Sequence, residues 1–88
     1  MEATLDHQKN PAEGWDIIDS AKADKGEKIS QVKIYVNDVA VSEKSFNPGL
    51  VQWHDRLTQK GEYPGSNTSR IEVFNEAGEM TVAEDSWS

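Results

Sequence analysis

The sequence contains no cysteine. Disulfides, thiolate chemistry and cysteine-based zinc sites are therefore excluded. Histidine is scarce as well: His7 and His54 are the only two, and alone they cannot supply three metal ligands. Arginine is limited to Arg56 and Arg70, whereas readout of nucleic acid draws heavily on that side chain. The one basic cluster, Lys22, Lys25, Lys28, Lys33 and Lys44, is interleaved with Asp24, Glu27, Asp38 and Glu43, so its field nearly cancels. No apolar run approaches the ~18 residues of a membrane span. Met1 to His7 has neither the basic nor the apolar region of a signal peptide. The expectation is a cytoplasmic protein that contacts neither membrane nor nucleic acid. Asn67-Thr68-Ser69 matches a glycosylation sequon and, without an export signal, is expected to go unused.

What is abundant is negative charge. The formal net charge is −7. Residues 1–19 carry five acids against one lysine, and residues 71–88 carry five acids and no base. Two acidic ends thus flank a near-neutral middle. Such a field attracts basic protein surfaces; solubility alone is the bland explanation. The 88 residues make one domain, and hydrophobic residues are only 35 % of them, so the core is small.

Along the chain, residues 1–9 lack periodicity and are expected to form a flexible tail. Asn10-Pro11-Ala12-Glu13 has the cap, first-turn proline and acid of a helix start, and Gly26 suits its end. Trp15 to Asp19 alternatively forms a short strand. Gln31 to Ser42 alternates at period two around Asn37-Asp38, which tolerates the positive φ of a type I′ hairpin turn. In that register Val32, Ile34, Val36, Val39 and Val41 share one buried face. Asn47 and Pro48 open a second expected helix with Leu50, Trp53, His54 and Leu57 on one stripe, closed by Gly61. Arg70 to Glu84 is a second hairpin turning at Glu76-Ala77-Gly78. The expected fold is α+β, in the order (α)ββαββ: residues 10–84 form one domain, a small antiparallel sheet of two hairpins on a central helix, and residues 85–88 form a tail.

No constellation for catalysis stands out. The adjacent pair His54-Asp55 diverges on a helix and cannot act as a dyad. The glycines around Pro64 match neither a P-loop nor a dinucleotide fingerprint. Neither an enzyme nor a cofactor or metal is expected. The partner-binding candidates are Glu72, Glu76, Glu79, Glu84 and Asp85, with Trp87, Tyr35 and Phe74 as aromatic contacts. Trp87 either folds back on the sheet or docks into a partner. The expected function is a small acidic module that inhibits or regulates a partner with a basic, nucleic-acid-handling surface. Acidic proteins of viral or mobile-element origin that block defence nucleases offer an analogy of charge and size, not of motif. The competing expectation is an assembly subunit that forms homo-oligomers through its hairpin edges.

Overall fold

The computed structural model describes all 88 residues and is built from strands alone. Seven follow one another: β1 Glu2–Asn10, β2 Gly14–Lys22, β3 Ile29–Val36, β4 Val39–Leu50, β5 Gln52–Lys60, β6 Asn67–Asn75 and β7 Met80–Trp87. They make two antiparallel sheets, ordered β1-β2-β5 and β4-β3-β6-β7. The α+β expectation is overturned, since neither helix exists and the fold is all-β.

The two sheets are sections of one long ribbon. β2 and β3 run on through residues 23–28, and β4 and β5 run on through Val51. The two lengths pair from Val36↔Val39 at the tip to Gly14↔Lys60 at the far end. The ribbon bends where Ala23 N donates to Val51 O at 2.9 Å. There the chain leaves one sheet and enters the other. β1 adds to β2, the β6–β7 hairpin adds to β3, and β1 lies against β6 and β7 across the fold. The four-stranded sheet supplies most of the core, with Ile29, Val32, Ile34, Val36, Ile71, Val73 and Trp87. The three-stranded sheet adds only Ile17 and Ala21 to the buried apolar set.

Both expected helices are strands for identifiable reasons. Asn10 does act as a cap, its Oδ1 accepting from Ala12 N at 3.1 Å and Glu13 N at 3.2 Å. That bonding closes an Asx turn, and the chain then reverses into β2 instead of coiling. The strand alternative for Trp15 to Asp19 is therefore the correct one, extended to Lys22. In β5, Trp53 and Leu57 are four residues apart, a spacing that satisfies a strand face as well as a helix stripe. Trp53, Asp55, Leu57 and Gln59 alternate inward while His54 stays exposed. Leu50 belongs to the other sheet, opposite Ile29, and Val51 is exposed. Phe46 instead meets the Trp53 ring at 4.9 Å.

The expected tails are strands too. Residues 2–10 form β1, and Trp87 ends β7 in the core. The hairpin tip is as read, with Asn37 at φ 49 and Asp38 at φ 65. Its apolar face is shorter than expected. The ladder jumps from Ile34↔Ser42 to Tyr35↔Ala40, leaving Val41 as a bulge, and Val39 is 64 % exposed.

Candidate partner-binding surface

The outer face of the four-stranded sheet brings most of the candidate residues together. Strand alternation aligns Tyr35, Arg70 and Glu84 in one row, Lys33, Glu72 and Val82 in the next, and Gln31, Phe74 and Met80 in the third. On the β3 side the groups are satisfied internally. The Arg70 guanidinium lies 4.4 Å from the Tyr35 ring centre, and Lys33 Nζ lies 5.4 Å from that of Phe74. Arg70 also pairs with Glu72 at 3.2 Å and Asp38 at 3.3 Å. Across the β6–β7 ladder Glu72 faces Val82 and Glu84 faces Arg70, so no two acids are direct cross-strand partners there.

On the β7 side the groups are not satisfied. Met80 is 51 % exposed and Val82 42 %. The register sets them on the face opposite Ile71 and Val73, so the apolar residues of this hairpin are split between core and solvent. Phe74, Met80 and Val82 form an apolar strip between Glu72 and Glu84 on one side and the turn carrying Glu76 and Glu79 on the other.

That turn is held by Asn75, which is 4 % exposed. Asn75 Oδ1 accepts from Ala77 N at 3.0 Å and Glu79 N at 2.9 Å. Its Nδ2 donates at 2.9 Å to both Glu27 Oε1 and Glu79 Oε1. The bond from Asn75 is the main reason the Glu27 carboxyl sits below its usual value. Glu27, Glu76 and Glu79 thereby line one concavity with Gly26, Lys28 and Ala77. The side-chain guanidinium pairs are Arg56–Asp16, Arg70–Asp38 and Arg70–Glu72, and no lysine or arginine forms an ion pair with Glu76, Glu79 or Glu84. Sequence reasoning missed Asn75, Met80 and Val82. An asparagine one residue before a Glu-Ala-Gly turn was the available signal for the first.

Two candidates lie elsewhere. Asp85 and Trp87 face inward from β7 toward β1. Asp85 Oδ2 lies 2.6 Å from His7 Nδ1. The His7 ring stacks on Trp87 with centroids 5.6 Å apart and planes 25° apart. Trp15 and Tyr63 complete the cluster at 5.7 and 6.2 Å from Trp87. These residues close the sandwich and are not offered to a partner. Asp6, His7 and Asp85 bring three ligand atoms within 4.8 Å of one another, a grouping hidden while residues 1–9 were read as a tail. In this arrangement the imidazole is engaged by Asp85, and no hydroxyl is hydrogen-bonded to it.

Fold and surface together define a small all-β domain with an acidic, apolar-centred hairpin face. No family model matches the chain, and neither a curated protein nor a solved structure matches it. No helix is long and apolar enough to cross a membrane.

Proposed function

We propose that the chain is a small acidic protein-binding module, not an enzyme, that inhibits or regulates a cytoplasmic partner with a basic surface of the nucleic-acid-handling kind. One observation carries this reading. The exposed pair Met80 and Val82, beside the half-buried Phe74, is bordered by Glu72, Glu76, Glu79 and Glu84, and three of those four carboxylates have no internal cation. An apolar centre within a charged rim is the anatomy of a specific protein interface. The rim steers a lysine- or arginine-bearing partner in, and the strip excludes water once it arrives. The assembly-subunit alternative draws less support. β4, a free edge, carries Pro48, the Val41 bulge and the charged pair Glu43-Lys44, features that keep edges from pairing with other chains.

Affinity capture from host lysate tests the reading, comparing wild type with Met80→Asp/Val82→Asp and with Glu76→Lys/Glu79→Lys. The expected result is a basic protein held by wild type, lost by Met80→Asp/Val82→Asp and captured less by Glu76→Lys/Glu79→Lys, with all three chains giving the same circular dichroism. Equal capture by wild type and both variants would overturn it.

A further inference from the structure

The inner face of the three-stranded sheet carries two carboxylates where a core calls for apolar groups. Asp19 on β2 and Asp55 on β5 are direct cross-strand partners, so alternation points both toward the opposite sheet. Asp19 is 2 % exposed and sits between the fully buried Ile17 and Ala21 on its own face. Its Oδ1 accepts from Trp53 Nε1 at 2.9 Å. Its Oδ2 is buried and has no partner at all.

The surroundings do not neutralise the pair. From β1, the residue opposite Asp19 is Leu5, which brings no charge. From β5 comes the like charge of Asp55. From β4 comes Lys44, whose Nζ lies 5.4 Å from the Trp53 ring centre and whose field opposes the repulsion only weakly. Two ionised carboxylates directly opposite in a sheet repel, and a buried oxygen without a donor forfeits its hydration. A single proton removes both costs. It neutralises the buried Asp19 carboxylate and with it the repulsion from its cross-strand partner Asp55. Burial is the main force pushing the Asp19 carboxyl up to about 6; the Trp53 bond opposes it and Asp55 adds to it.

We propose that Asp19 and Asp55 form a proton-binding site that clamps β5 onto β2 when occupied and loosens that seam when empty. The sign follows from linkage. A carboxyl raised in the folded state makes the native protein bind more protons than the unfolded chain, so its stabilisation is complete below the ordinary carboxylate range and disappears as pH rises through about 6. The proton acts within the β2–β5 ladder, away from the β6–β7 surface, and the inference stands independently of the proposed function.

Thermal unfolding across about pH 5 to pH 8, for wild type and Asp19→Asn, tests it. Asparagine keeps the Trp53 acceptor and supplies the donor permanently. The expected result is a melting temperature that falls across the window in wild type by several degrees more than in Asp19→Asn. Parallel profiles for the two chains would overturn the proposal. Carbon-detected titration of the wild-type aspartate carboxyls keeps it testable if the variant fails to fold: one carboxyl must titrate near 6. If every aspartate titrates in the ordinary carboxylate range, there is no such site.

Discussion

The β1–β2 corner closes only because Gly14 has no side chain. A Cβ there would lie 2.2 Å from Gln59 O and 2.9 Å from Gly61 O, on a backbone at φ +143. Both contacts are main chain and cannot swing aside. Gly14→Ala is expected to cost at least ~2 kcal/mol through strain and displacement of β5, read as a lower denaturant midpoint. Asp16, two residues on, titrates in the direction opposite to Asp19. Asn10 Nδ2 at 3.2 Å, Arg56 Nη1 at 2.7 Å and Thr58 Oγ1 at 2.9 Å all donate to it. Asn10 first, then Arg56 and Thr58, hold its carboxyl below the ordinary 3.8. Its stabilisation is therefore present above that value and lost as pH falls through the lowered one. Asp16→Asn should lower stability at neutral pH and flatten the acid limb of the stability profile, as measured by denaturant titration at several pH values.

Among the elements, hairpins were legible and their partners were not. Asn37-Asp38 and Glu76-Ala77-Gly78 announce turns by residue type, and period-two alternation gives the flanking strands directly. Glu76 and Glu79 were legible for the same reason, because turn carboxylates are solvated. For Met80 and Val82 alternation says that they share a face and not which face, and the β6 register decides that. β2 stood only as the alternative over Trp15 to Asp19 because an Asx turn begins as a helix cap does, β5 was hidden because residues four apart fit both periods, and β1 because residues 1–9 lack apolar periodicity. Of the two alternatives for Trp87 the structure takes the fold back onto the core, and its neighbour His7 lies in a strand that alternation did not reveal. The β3–β4 register carries its own check. Ile34→Ala, at 1 % exposure, should cost ~2–4 kcal/mol, whereas Val39→Ala should change stability by less than ~0.5 kcal/mol. The tip also has a second task that its turn type concealed. Asn37 Nδ2 donates to Asn67 Oδ1 at 3.0 Å, and Thr68 N donates to Asn37 Oδ1 at 3.0 Å. Asn37→Gly keeps the turn and removes that link to β6, with an expected loss of ~1–2 kcal/mol by chemical denaturation.

Across the whole molecule, charge is distributed unlike shape. The body extends 41 Å by 20 Å by 18 Å, and the β6–β7 hairpin carries three acids without an ion-pair partner, Glu76, Glu79 and Glu84, with no basic residue between Ile71 and Trp87. Long-range attraction of this kind sets association rate more than lifetime. Glu76→Lys/Glu79→Lys should slow association with a basic partner several-fold and leave dissociation nearly unchanged. Wild-type association should slow between low and physiological salt, both read by surface-based kinetics. The long ribbon has a consequence for how the chain reaches this shape. Once Val36 meets Val39, every further rung from there toward Gly14 and Lys60 extends a hairpin that is already closed. The chain thereby avoids paying separately for large loop closures that seven strands in two sheets would otherwise require. Zippering from the tip makes β1 and β7 late arrivals. Their amides, on the seam held by His7, Asp85 and Trp87, should be among the first to exchange with solvent deuterium, and those of β3 among the last.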